Sequence, residues 1–356
     1  MSETGDGAMT TVVHAGEEDN ASAVALWTAN AKDGLYTRHA NPTVAAFEAK
    51  MQALEGGAAA VAMASGMAAV SQTLLSLLRQ GDRLVVPAKV FVGVRTLLSD
   101  FLPHYGIDVA PVDMNDRDAL RSALEAPGVA AVYCETISNP WAEAVDVPGI
   151  VAVAREAGVP VIVDNTLATP HLFRPIEAGA DIVLHSASKY IGGHGDAIGG
   201  VVVTREAGAA EPIRTARRIL GGILSPANAY LLQRGLKTLS MRMERHCANA
   251  EAVAAFLAGH PKVRRVNYPG LESAPDHATA ASFLPRFGGL LSFELHEQFD
   301  HRRLVDALTM CKSRYSFGEP GTVALIQDWI RLIRLSVGLE DAADIVADLS
   351  RALDDA

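Results

Sequence analysis

The sequence predicts an α/β fold with a large, mostly parallel sheet domain, followed by a small C-terminal α+β domain. In the first two-thirds of the chain, helical stretches alternate with short apolar runs. These runs are continuous rather than alternating with polar residues, which indicates strands buried on both faces. After about residue 239 the pattern changes to longer helical stretches with fewer strands. The 356 residues are enough for two domains.

The elements follow in order along three segments: an N-terminal arm (1–40), an α/β domain (41–238) and an α+β domain (239–356). The arm is predicted because its residues are mostly polar. Helical spacing and Gly stop signals predict the first helices, and β-rich apolar runs predict the strands. The helices of the α/β domain are Pro42–Glu55, Ala68–Arg79 and Val147–Ala157, and its strands are Arg83–Pro87, Val129–Tyr133, Val159–Val163, Asp181–Leu184 and Gly199–Thr204. The remaining helical stretches are Pro226–Leu257, His301–Leu308 and Ala342–Leu353, with strands near Val263–Val266 and Leu290–Leu295.

Composition excludes several classes of function. The formal net charge of -10 argues against a nucleic-acid or anionic-lipid partner. No apolar run reaches the roughly 20 residues of a membrane span, and the first residues contain no secretory h-region. Cys134, Cys247 and Cys311 are far apart, which predicts reduced thiols in a cytoplasmic protein rather than a zinc or redox site.

Polar side chains follow the predicted strands at the edge where α/β sheets bind ligands. Asp164 ends one buried strand, and Lys189 follows the next. Ser65-Gly66-Met67 opens a helix and offers backbone N–H groups to a phosphate. An acid, a lysine and a phosphate site together match pyridoxal 5′-phosphate (PLP). The acid keeps the pyridine nitrogen protonated, and the lysine forms an imine and then acts as a base.

Nine motifs along the chain resemble those of one known enzyme family. They are YTRHANPT (36–43), ASGMAA (64–69), ETISNP (135–140), VDNTLATP (163–170), HSASKYIGGHGD (185–196), GLKTLSMRM (235–243), YPGL (268–271), GGLLSF (288–293) and RLSVGLE (334–340). In this order, over residues 35–345, the sequence resembles the Cys/Met-metabolism PLP family, which includes cystathionine γ-synthase, cystathionine γ-lyase and methionine γ-lyase.

The resemblance implies a PLP-dependent transferase fold of the aspartate-aminotransferase type and a role for each matching residue. Lys189 is implied as the catalytic Schiff-base lysine, and Asp164 as the partner of the pyridine nitrogen. Arg334 is implied as the arginine that binds the substrate carboxylate, with Ser316 beside the substrate. The other cofactor-binding residues implied are Tyr36, Arg38, Gly66, Met67, Phe91, Asn139, Thr166, Ser186 and Ser188.

The resemblance also implies an assembly. The family forms homotetramers built as dimers of dimers, with active sites shared across the dimer interface. Tyr36 and Arg38 match the pair that reaches the phosphate of the neighbouring subunit. The implied small-molecule partner is an amino-acid substrate.

One departure bears on the reaction. Phe91 replaces the family tyrosine that stacks on the cofactor and protonates the leaving group, and Val94 replaces a threonine. Phenylalanine can stack but cannot move a proton. The resemblance implies γ-elimination from a γ-substituted L-amino acid through a β,γ-unsaturated ketimine, and Phe91 predicts a leaving group that needs no proton, such as halide or acyl-oxygen. Lys89, Arg95 and Tyr315 are also unusual and are expected to reshape the pocket.

Other functions stay open at this point. One is γ-replacement by a cystathionine γ-synthase or O-acylhomoserine sulfhydrylase type of enzyme, and another is terminal-alkyne formation from a chlorinated amino acid. Ser186–Lys189 also fits the S-x-x-K motif of serine acyl-enzymes, but its S-D-N and K-T-G partners are missing. His296-Glu297 and His301 lack the four-residue histidine spacing of a zinc protease helix. A non-enzymatic binding module would show no imine absorbance.

Overall fold

The computed structural model describes residues 36–356, so most of the predicted arm lies outside the described residues. The first sheet has the strand order β1-β7-β6-β5-β4-β2-β3. Within it, β7 pairs antiparallel with both neighbours and the other pairs are parallel. This confirms the predicted α/β class. The strands are β1 (Ala59–Met63), β2 (Arg83–Pro87), β3 (Asp108–Val112), β4 (Val129–Glu135), β5 (Val161–Asp164), β6 (Ile182–His185) and β7 (Gly200–Thr204).

Helices cover both faces of this sheet, which explains the continuous apolar runs of its strands. Tyr133 and Ile162 face a core that includes Leu74, whereas Val132 and Val163 face the opposite core. The helices of this part are α1 (Pro42–Glu55), α2 (Gly66–Leu77), α3 (Val92–Thr96), α4 (Arg117–Leu124), α5 (Val147–Glu156), α6 (Thr169–Leu172), α7 (Ala210–Leu220) and α8 (Pro226–Leu236).

A second sheet follows, in the order β10-β11-β12-β9-β8. Its core packs the strands against two long helices, through residues such as Phe293, Leu335, Val253 and Leu349. The central strand β12 carries Arg334 toward the first sheet. The strands are β8 (Val263–Asn267), β9 (Leu290–Leu295), β10 (Lys312–Ser313), β11 (Val323–Gln327) and β12 (Leu332–Ser336), and the helices are α9 (Leu239–Ala258), α10 (His277–Ala281), α11 (His301–Ala307) and α12 (Ala342–Asp355).

Strand β1 was missing from the predicted elements. Its sequence, AAVAM, is rich in alanine, which favours helix. The flanking Gly57 lets it enter the sheet, because a Cβ there would lie 2.8 Å from the Thr204 carbonyl oxygen of β7. All five residues of β1 are buried.

The prediction of a single helix over Pro226–Leu257 is wrong, because the helix ends at Leu236 and a new one, α9, begins at Leu239. Carbonyl groups at the end of α8 bond to side chains instead of continuing the helix. The Gly235 oxygen accepts from Arg242 Nη2 (2.7 Å) and Thr238 Oγ1 (3.2 Å). Arg242 also donates to the backbone carbonyl oxygen of Tyr190 (2.6 Å), so the start of α9 is bound to the segment after Lys189.

Each helix in residues 36–356 is too short or too polar to cross a membrane.

Candidate active site

The predicted site residues meet at one edge of the first sheet. Strands β1, β4, β5 and β6 run in the same direction, so their carboxyl ends open toward the same pocket. The predicted residues that line this pocket are Gly66, Met67, Phe91, Asn139, Asp164, Thr166, Ser186, Ser188 and Lys189.

One end of the pocket suits a phosphate. Ser65 caps α2 by accepting from the Ala68 N–H (3.0 Å), which leaves the first N–H groups of the helix facing the pocket. A Cβ at Gly66 would lie 2.6 Å from the Ser186 Cβ, so glycine is required for this close approach. Backbone and helix dipole therefore form an anion site here.

The two serines of this site differ. The Ser188 hydroxyl donates its only proton to the Gly199 oxygen (3.1 Å) and accepts from the Gly199 N–H (3.0 Å). The Ser186 hydroxyl has no hydrogen-bond partner among the described residues, although its N–H donates to Thr166 Oγ1 (2.8 Å). An anion needs hydrogen-bond donors, so the Ser186 hydroxyl can donate to it directly, while the Ser188 hydroxyl holds the segment around Lys189 against Gly199.

Asp164 ends β5 at the floor of the pocket. Its Oδ1 accepts from the Thr166 N–H (3.0 Å). Burial raises the pKa of Asp164, and the hydrogen bonds from Thr166 oppose the rise by favouring the carboxylate. A positive partner in the pocket would therefore complete the charge balance of this carboxylate.

Lys189 follows β6 of the first sheet and faces the segment between β10 and β11 of the second sheet. Its Nζ is 3.4 Å from Ser316 Oγ and 4.9 Å from the centre of the Phe317 ring. Burial lowers the pKa of Lys189, and the positive charge of Arg334 lowers it further. A lower pKa increases the share of neutral amine, which is the nucleophilic and basic form.

A second pocket adjoins the first and shares Phe91, Asn139 and Lys189 with it. Arg334 is 3% exposed there, and its Nη2 donates to the backbone carbonyl oxygen of Ser316 (2.8 Å). A buried guanidinium fixed in this way is a suitable site for a substrate carboxylate. The other residues that line this second pocket include Ser316, Tyr315, Arg95 and Trp329.

The sequence analysis gave no role to Glu135, the first residue of the ETISNP motif. In the structure it is 5% exposed, and its Oε1 accepts from the Phe91 N–H (2.8 Å). Burial, followed by the charge of its strand neighbour Asp164, raises the pKa of Glu135 to about 8. Glu135 thus fixes the backbone of Phe91 and is mostly protonated at neutral pH. The signal available in the sequence was its position at the end of β4, one strand away from Asp164.

We expect Glu135 to make stability depend on pH. The folded protein keeps this proton up to about pH 8, whereas an unfolded glutamate loses it near its usual pKa of 4.5. The contribution of Glu135 to the free energy of unfolding therefore falls as pH rises from about 4.5 to about 8. Glu135→Gln, which keeps an acceptor for the Phe91 N–H, should remove this fall.

Thermal denaturation at pH 5 and pH 8.5 checks this expectation. The variant should match the native protein at pH 5 and melt higher at pH 8.5. A difference in Tm that is equal at both pH values would contradict the raised pKa.

Two groups of predicted residues lie outside the pockets. Tyr36 is 62% exposed and stacks with Arg38, whose Cζ is 5.2 Å from the ring centre. Their role at a neighbouring subunit stays a prediction.

Lys89 does not line either pocket of the site, because its Nζ binds both oxygens of Glu143 (2.7 and 2.6 Å) on another surface. The expectation that Lys89 reshapes the pocket is therefore wrong.

Within residues 36–356, no group of three or more His, Cys, Asp or Glu side chains is arranged to hold a metal ion.

The sequence and the fold resemble known enzymes. Residues 9–330 match the family model described as Cys/Met metabolism PLP-dependent enzyme. The chain is 40% identical to an L-methionine gamma-lyase of Pseudomonas putida, over 89% of this chain and 84% of the relative. It is 39% identical to a cystathionine gamma-synthase of Mycobacterium tuberculosis, over 89% and 86%. The crystal structure of cystathionine gamma-lyase from Lactobacillus plantarum complexed with L-serine superposes with a TM-score of 0.94, at 34% identity, over 98% of this chain and 99% of that one.

Proposed function

This chain belongs to the Cys/Met metabolism PLP-dependent enzyme family, and we propose that it is a γ-lyase acting on a γ-substituted L-amino acid. The observation that carries the proposal is the placement of Lys189 between an anion cradle, the Asp164 carboxylate and Arg334. The residues present fit PLP. Gly66 lets the first turn of α2 lie against Ser186, which brings backbone N–H groups and a hydroxyl together for a phosphate, and Asp164 offers a carboxylate to a protonated pyridine.

Each residue has a defined task. When bound, PLP supplies an electron sink that stabilises negative charge at the α-carbon of the substrate. Asp164 holds the proton on the pyridine nitrogen. Arg334 binds the substrate carboxylate, which orients the α-hydrogen toward Lys189. Lys189 Nζ removes that proton and can return it at a neighbouring carbon.

Phe91 selects among leaving groups. Its side chain lines both pockets and has no O–H. The resemblance gives this position to the family tyrosine that protonates the departing γ-substituent. A thiolate is a strong base and gains from such a donor, whereas a halide or a carboxylate departs without a proton. We therefore propose a halide or acyl-oxygen leaving group.

Phe91→Tyr should raise kcat/KM for methionine, because the new phenol can protonate the departing thiolate. The gain should be about 10–100-fold, at the lower end of general acid catalysis. Turnover of a γ-chlorinated or O-acylated substrate should change by less than about threefold. Steady-state kinetics on both substrate types measures the two effects, with Phe101→Tyr as a control that adds the same phenol on an exposed surface. Equal effects of Phe91→Tyr on both substrate types would contradict the role of Phe91.

Two alternatives share the same first steps. A γ-replacement synthase is favoured by the 39% identity to a cystathionine gamma-synthase and would require a nucleophile to complete turnover. Terminal-alkyne formation is the special case in which the leaving group is chloride and an unsaturated amino acid is released.

The proposal includes the assembly and the compartment. We propose a cytoplasmic homotetramer, built as a dimer of dimers, in which Tyr36 and Arg38 reach the phosphate site of a neighbouring subunit. The exposure of both side chains, outside the pockets of their own chain, supports this placement.

A further inference from the structure

We propose that Arg95 forms the subsite for the departing γ-substituent, and that this group leaves as an unprotonated anion. The inference rests on the proposed elimination and names its substrate class: L-amino acids whose γ-substituent is a weakly basic anion once released.

The position of Arg95 follows from Phe91. The Arg95 N–H donates to the Phe91 oxygen (2.8 Å), one turn earlier in the chain. Phe91 is the residue that precedes α3, and Arg95 lies within that helix. Both line the substrate pocket together with Lys189 and Arg334. Arg95 is therefore next to the residue that lacks the proton donor.

Aromatic contacts hold Arg95 without neutralising it. Its Cζ is 4.8 Å from the centre of the Trp329 ring, and such a cation–π contact leaves the charge in place. The Trp329 ring in turn packs edge-to-face on Trp141, with ring centres 5.6 Å apart. The guanidinium is thus positioned by rings from two other parts of the chain.

Arg95 differs from its neighbours in having no acidic partner. Lys89 binds Glu143, and Arg314 binds Glu319 (3.4 Å). Across residues 36–356, Arg95 makes no ion pair. Arg334 is reserved for the α-carboxylate, so Arg95 is the cation available to a group at the other end of the substrate.

The chemistry balances without a proton donor. Lys189 takes a proton from the β-carbon, and the electron pair of that C–H bond forms a double bond between the β- and γ-carbons as the bond to the leaving group breaks. The electron pair of the broken bond departs with the leaving group as an anion. The protons taken from the α- and β-carbons stay on Lys189 or return to the substrate. A guanidinium does not give up its proton near neutral pH, but it stabilises an anion through charge-assisted hydrogen bonds.

Binding of L-glutamate and L-glutamine tests the subsite directly. The two ligands have the same shape, differ by one charge at the far end, and carry no γ-leaving group. Calorimetry with the PLP-loaded enzyme should show tighter binding of glutamate. Arg95→Gln should weaken glutamate binding at least about tenfold, as expected for a charged hydrogen bond, and change glutamine binding less than about twofold.

Lys89→Gln is the matched control, because it removes a positive charge six residues away that is paired with Glu143. It should leave the preference for glutamate intact. Arg95→Lys keeps the charge without the planar fork and should bind glutamate with intermediate affinity; it also serves if Arg95→Gln does not fold. An unchanged glutamate affinity in either Arg95 variant would overturn the proposal.

The outcome separates this inference from the proposed function. If Arg95→Gln loses glutamate affinity but no substrate undergoes elimination, the anion subsite stands and the γ-lyase assignment fails. If elimination occurs but the variant binds glutamate as the native enzyme does, the assignment stands and Arg95 is not the subsite.

Discussion

Replacing Lys189 with alanine should lower kcat by at least about 10³-fold, because the same amine binds the cofactor and moves the substrate protons. The fold should remain, since Nζ makes a single long hydrogen bond of 3.4 Å, to Ser316 Oγ. Borohydride reduction followed by peptide mapping should place a pyridoxyl group on Lys189 of the native enzyme and nowhere on the variant. Lys312→Ala, on the exposed strand β10, is the control.

A pyridoxyl group on another lysine of the native enzyme would contradict the assignment of Lys189. So would a Lys189→Ala variant that keeps more than about a tenth of the native kcat.

Asp164→Asn should lower kcat by about 10²–10³-fold. The amide keeps an oxygen for the Thr166 N–H but removes the negative charge that holds a proton on the pyridine nitrogen. Cofactor affinity should fall less than kcat, since the phosphate cradle at Gly66 and Ser186 is untouched. Kinetics and absorbance titration with PLP measure the two effects, and Asp113→Asn on an exposed turn is the control.

The Asp164 assignment predicts this uneven loss. A variant with weakened PLP binding and native kcat when saturated would show that Asp164 only supports the cofactor and does not tune it.

The sequence predicted the parts of the site that depend on strand ends. Asp164 and Lys189 follow buried strands of a parallel sheet, and parallel strands bring their carboxyl ends to one edge whatever the loops do. An acid, a lysine and a phosphate site indicated PLP, and nine motifs in order indicated the family. By contrast, β1 was missed because its alanines indicate helix, while burial between two helical layers favours a strand.

Contacts between distant segments could not be predicted. Arg95 and Trp329 are far apart in the sequence, and they meet because the segment between β11 and β12 lies against α3. Lys89 also departs from the family pattern and lies only six residues before Arg95, yet it pairs with Glu143 on another surface. The engagement of the Ser188 hydroxyl with Gly199 likewise depends on a turn whose geometry no local pattern encodes.

The most direct test of the γ-lyase assignment is mass spectrometry of the products from γ-substituted amino acids with chloride, acyl-oxygen and thiolate leaving groups, without added nucleophile. We expect a 2-oxo acid and ammonia, with chloride and acyl-oxygen substrates turning over faster than the thiolate substrate. No turnover until a thiol is added would contradict the assignment and make the enzyme a γ-replacement synthase.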